Sequence, residues 1–91
     1  MKRARLRPAA QSDLVEAAKF HAEKGGAGLA ERMLDASLGA LALIEQRPRI
    51  GSPRLGEQCG IPGLRSWRVK GFPLRWFYFE ADDRIIVLNI C

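Results

Sequence analysis

Polar and apolar residues alternate along Arg3-Ala4-Arg5-Leu6-Arg7, which sets Ala4 and Leu6 on one face and predicts a half-buried β-strand. Pro8 follows, and proline suits the first turn of a helix because its missing N–H would have no partner there anyway. From here the period lengthens. Ala10, Leu14, Ala17, Ala18 and His21 recur at helical spacing, and Lys24-Gly25-Gly26 marks the end of this first helix. A second helix is predicted from about Gly28 to Gln46, with an apolar stripe of Leu29, Met33, Leu34, Ser37, Leu38, Leu41 and Ile44. Gly39 interrupts it and is expected to permit close helix–helix contact. Arg47-Pro48 stops it, since a residue before proline resists helical geometry. So few residues join the two helices that they should form an antiparallel hairpin.

The stretch 48–63 carries Pro48, Gly51, Pro53, Gly56, Gly60, Pro62 and Gly63, and is expected to be a loop. The period then drops to two. Leu64 to Lys70, Leu74 to Glu80 and Arg84 to Ile90 are predicted strands, parted by turns at Gly71-Phe72-Pro73 and Ala81-Asp82-Asp83. The last strand is apolar on both faces, which places it inside the sheet. The predicted fold is α+β, in the order β-α-α-β-β-β, with the helical hairpin packed on one face of an antiparallel sheet.

With 91 residues the chain has room for one domain, and its hydrophobic fraction of 47% is that of a globular protein. Its net charge of +5 is unevenly spread: residues 1–7 carry +4, 8–46 carry −3, 47–80 carry +5 and 81–91 carry −1. The predicted helices are acidic and the predicted strands basic, so the positive field should lie on the sheet side. An acidic partner is expected: nucleic acid, a membrane surface or an acidic protein. Four cations in residues 2–7 with no acid among them suit phosphate in particular. The charged start is not followed by the apolar stretch of a signal peptide, and Ile85-Ile86-Val87-Leu88 is far too short to span a bilayer. A cytoplasmic protein that does not engage a membrane is expected. Cys59 and Cys91 lack metal-ligand spacing and read as thiols in a reducing compartment, although one disulfide between them is conceivable. No phosphate-binding glycine loop, dinucleotide fingerprint or paired Cys/His metal site occurs, so no cofactor and no metal are expected.

Leu6-Arg7-Pro8-Ala9-Ala10 leading to Asp13-Leu14, and the helix exit Arg47-Pro48-Arg49-Ile50-Gly51, form a recognisable series. It continues through Gly63-Leu64-Arg65, Val69-Lys70-Gly71-Phe72, Phe77-Tyr78 and Asp83-Arg84-Ile85-Ile86-Val87-Leu88. In order and spacing, over nearly the whole chain, this series resembles the ParE/RelE toxin family. The resemblance implies one toxin domain over residues 1–91 and a cognate ParD-like antitoxin. Operator DNA would be engaged only through that antitoxin. The ParE branch implies inhibition of DNA gyrase, and the RelE branch implies ribosome-dependent cleavage of mRNA. It also implies a short basic tail after the last strand, where this sequence ends at Cys91.

Cleavage of RNA would need cations to hold developing phosphate charge and a group to move a proton. The cations are Arg65, Arg68, Lys70, Arg75 and Arg84, which are the expected contacts to a target or to nucleic acid; a solvated charged sheet face is the alternative reading. A proton-transfer group is harder to find. Tyr78, the one tyrosine, lies in an aromatic strand where a packed ring with a bonded hydroxyl is expected, and His21, the one histidine, sits on a helix among alanines. No catalytic residue is assigned. A gyrase-inhibiting ParE-like toxin is therefore the leading expectation. The alternatives are a RelE-like endoribonuclease and an inactive remnant that only binds its antitoxin. Alternation puts Trp76 and Tyr78 on one face of their strand and Phe77 and Phe79 on the other. Trp67, Trp76, Tyr78 and Phe20 are the expected antitoxin anchors, with an exposed sheet edge as a further seat for an antitoxin strand.

Overall fold

The computed structural model describes residues 1–91. Strand β1 (Arg3–Leu6) runs through Arg7, which is still extended, into helix α1 (Pro8–Gln46), with Pro8 in its first turn. At about 1.5 Å per residue a straight helix of 39 residues would be about 58 Å long, whereas the longest dimension of the molecule is 38 Å. The helix doubles back at Gly26, whose φ of 84° and ψ of 178° belong to a region that is essentially glycine's alone. The expected hairpin is present, then, but its turn is one residue in an otherwise continuous element. Its arms meet: Ala10 of the first arm lies in the same core cluster as Ala40, Leu41 and Ile44 of the second.

A short helix α2 (Arg54–Gln58) interrupts the segment expected to be loop, followed by β2 (Arg65–Arg68), β3 (Arg75–Glu80) and β4 (Arg84–Ile90). The sheet order is β1-β4-β3-β2, so β4 is internal, as its two apolar faces suggested. β2, β3 and β4 form an antiparallel meander, whereas β1 lies parallel to β4 and makes the sheet mixed. Strand β2 is shorter than expected. Val69 and Leu74 pair at the neck of the turn that follows it, through a 2.8 Å bond from the Val69 amide to the Leu74 carbonyl.

Register decides which side chains meet the helix. Val87 faces Tyr78 and Asn89 faces Phe77, so Leu88 is an extra residue in β4 and the pair is bulged there. The bulge turns Asn89 outward and returns Ile90 to the core, where a strict alternation would have buried the asparagine. The inner face thus comprises Ala4, Leu6, Trp67, Trp76, Tyr78, Ile85, Val87 and Ile90, packed on Ala10, Ala40, Leu41 and Ile44. At about 25 cal/mol per Å² of apolar surface, burial of this one cluster is the dominant stabilising term of the fold. The outer face carries Arg3, Arg5, Arg68, Arg75, Phe77, Phe79, Arg84 and Ile86, and no long helix covers it. No helix is long and apolar enough to cross a membrane.

Candidate functional site

The only tyrosine is a structural post. Tyr78 is fully buried on the inner face; its hydroxyl donates to the Pro48 carbonyl at 2.7 Å and accepts the Gly51 amide at 2.9 Å. Both partners lie just past the end of α1, so the phenol ties the helix exit to the sheet. Gly51 has no room for a side chain, because a Cβ would lie 2.8 Å from Tyr78 Cε1. Burial raises the pKa of the phenol above its ordinary value, opposed by the Gly51 amide and by the Arg65 charge.

Trp76 is likewise fully buried, and its indole N–H donates to the Ser37 carbonyl at 2.9 Å. The expectation that Trp76 and Tyr78 dock a partner is therefore corrected. Alternation separated them from Phe77 and Phe79, but the Trp76–Tyr78 face is the one turned to the helix, where each polar atom finds a backbone partner. Trp67 is only half buried at the sheet margin, and Phe20 is 54% exposed on the first helical arm, with the Lys24 ammonium 5.5 Å from its ring centroid. These two of the four aromatic anchors remain accessible, at different places on the molecule.

The five expected cationic contacts do not form one cluster. Arg68 and Arg75 stand opposite each other on the outer face, where Arg75 also donates to Ser66 Oγ at 3.1 Å. Arg84 is on the same face at the other end of the sheet, opposite Arg3 and 2.8 Å from Asp83. Arg65 points inward, and its guanidinium donates to the Gly51 carbonyl at 2.7 Å, bracing the helix exit. Lys70 is exposed in the β2–β3 turn. Of the remaining titratable groups, Glu80 is taken up by Lys2 at 2.8 Å and approached by Arg49 at 3.7 Å. The Lys2 hydrogen bond holds its carboxyl below the usual carboxylate range. His21 is buried between the rings of Phe20 and Phe72, at centroid distances of 5.4 and 5.3 Å, and its Nδ1–H donates to the Ala17 carbonyl at 2.7 Å. No group of three or more potential metal ligands is assembled, and Cys59 and Cys91 are separate, exposed thiols.

Between the second helical arm and the β2 edge lies a groove of about 490 Å³, floored by Ala36, Gly39, Ala40 and Leu43 and walled by Trp67, Arg68 and Lys70. Leu43 is 42% exposed at its margin, and Leu38, expected in the buried stripe, is 55% exposed on the same arm. Gly39 has open space around it rather than a neighbouring helix. The helical side of this groove is missing from the expected site. The trace it leaves in the sequence is the small and apolar run of Ala36, Gly39, Ala40 and Leu43, which flanks the arc spanned by Met33, Ser37, Leu41 and Ile44.

No curated protein matches the chain. Among solved structures it is similar to a chain of the "Chromosomal ParDE TA system from P. aeruginosa", with a TM-score of 0.84 and 17% identity over 99% of this chain and 94% of that one. At that identity the likeness carries the fold. The family described as "ParE toxin of type II toxin-antitoxin system, parDE" matches residues 4–91. The chain therefore belongs to the ParE toxins of type II toxin–antitoxin systems.

Proposed function

We propose that this toxin inhibits DNA gyrase by binding it, without chemistry of its own, and that a ParD-like antitoxin keeps it silent. The observation that carries the reading is the separation of the outer-face cations from both rings that could move a proton, His21 and Tyr78. Phosphodiester cleavage needs an acid or base within hydrogen-bond reach of the reacting oxygens, as well as cations to hold the charge. Here the outer sheet face bears Arg3, Arg5, Arg68, Arg75 and Arg84. Tyr78 is on the inner face with its hydroxyl fully engaged, and His21 is packed between two phenylalanines on the helix. Glu80 is held by Lys2. The carboxylates beside cations, Asp83 with Arg84 and Glu80 with Lys2, are taken up in ion pairs, which favours binding over cleavage.

The likeness to a ParDE system supports pairing with an antitoxin. The groove beside Trp67 is the seat we assign to it. Its apolar floor suits apolar anchors, while Arg68 and Lys70 at its rim suit acidic residues flanking them. The cytoplasm, where gyrase acts, is the proposed compartment. The test pairs a gyrase supercoiling assay with an mRNA-cleavage assay on ribosomes, using the same purified chain. Loss of supercoiling with intact mRNA is expected. Cut mRNA would transfer the chain to the ribonuclease reading, and inactivity in both assays with tight antitoxin binding would make it a remnant.

A further inference from the structure

Arg3, Arg5 and Arg7 occupy every second position of an extended segment, so all three point from the outer face of β1. All are exposed, and no carboxylate lies within 4.0 Å of any of them. β1 pairs only with β4, so its other edge is open. Arg84 stands directly opposite Arg3, an arrangement of like charges that disfavours the strand pair. Arg7 precedes α1 without capping it through its side chain, so that guanidinium has no evident role in holding the helix. Arg84 is answered by Asp83 at 2.8 Å, which leaves a row of three cations that the fold does not need and that calls for an external anion.

We infer that this arginine row is a contact surface for the phosphate backbone of duplex DNA. Alternate residues of an extended segment repeat at about 6.7 Å, so Arg3, Arg5 and Arg7 span about 13 Å. One strand of a duplex rises about 3.4 Å per phosphate along the axis, so that span is well under half of a helical turn of about 34 Å and leaves each of the three arginines a phosphate within reach. A straight β-edge can follow the backbone over this distance. Single strands fit less well, because they are held by exposed aromatic platforms beside the cations. The outward neighbours of the row on β4 are Ile86 and Leu88, with Phe77 and Phe79 a strand further away and half buried. An acidic protein segment would want an apolar pocket beside the cations; Ile86 and Leu88 are half buried in the sheet there, and the apolar groove is at the opposite, β2 edge. The row holds no base-reading element, so it binds without sequence preference. It does not depend on gyrase being the target.

The test is fluorescence anisotropy with two labelled 20-base-pair duplexes of unrelated sequence, the corresponding single strand and a glutamate-rich peptide of equal charge. Each is titrated with the full chain between 50 and 200 mM salt. With three phosphates neutralised, duplex affinity should fall about 40-fold over that range, equally for both sequences. The R3Q/R5Q/R7Q variant, shown to be folded by circular dichroism, should bind weakly and lose little of that binding over the same range. R3K/R5K/R7K should keep the wild-type salt dependence. Absence of duplex binding at 50 mM salt, an unchanged salt dependence in the glutamine variant, or preference for the single strand or the peptide would each overturn the assignment.

Discussion

Replacing Tyr78 by phenylalanine removes one oxygen and leaves the ring in place. That oxygen accepts the Gly51 amide at 2.9 Å and donates to the Pro48 carbonyl at 2.7 Å. Gly51 is buried, so its N–H would lose its acceptor without gaining water, which costs about 1–3 kcal/mol. In a domain of this size each kcal/mol moves Tm by about 4–8 °C, so a loss of about 2 kcal/mol lowers Tm by roughly 8–16 °C. Thermal unfolding followed by circular dichroism reads this directly. The pH dependence has a definite sign. The folded phenol has a raised pKa, so its contribution to stability is intact below the unfolded value of about 10 and declines as pH rises above it. The part of the alkaline loss of stability due to this group should be absent from Tyr78→Phe. Below its melting temperature the variant should still arrest growth. An unchanged Tm together with lost toxicity would refute the structural role and make the phenol a working group.

Ser37 Oγ is buried without a hydrogen-bond partner, so Ser37→Ala should leave stability equal or raise it by up to about 1 kcal/mol, read as a shift in the denaturation midpoint. Gly26→Ala should cost about 1–3 kcal/mol by the same measurement: the space around residue 26 is open, but its backbone conformation excludes a Cβ. Leu43→Glu with Arg68→Glu changes two exposed positions of the Trp67 groove and should weaken antitoxin binding by about 30-fold or more in calorimetry, the equivalent of about 2 kcal/mol, while the circular dichroism spectrum stays the same.

Much of the architecture was legible because it rests on local periodicity. The alternation about Ala4 and Leu6, the helical stripe around Met33, Leu41 and Ile44, and the doubly apolar β4 each announce their burial in a few consecutive residues. What stayed hidden depends on distant partners. Alternation separated Trp76 and Tyr78 from Phe77 and Phe79, yet both pairs are aromatic. The choice of inner face came from the Ser37, Pro48 and Gly51 backbone groups, far away in the chain. The parallel pairing of β1 with β4 joins opposite ends of the sequence and leaves no local mark. Helix α2 lies in a glycine- and proline-rich stretch, with Gly56 packed tightly on Leu64, a contact that composition does not encode. The cations were readable as residue types, and alternation alone sets Arg65 and Arg68 on opposite faces, but which face is the inner one depends on the distant helix against which Trp76 and Tyr78 pack.

The central claim, inhibition by binding alone, is tested most directly by titrating gyrase with a variant that lacks both proton-transfer rings, His21→Gln with Tyr78→Phe. Supercoiling is scored at a temperature where circular dichroism shows the variant folded. Inhibition at the same molar ratio as the unaltered chain is the expected result. A folded double variant that no longer inhibits, where the unaltered chain does, would contradict the account.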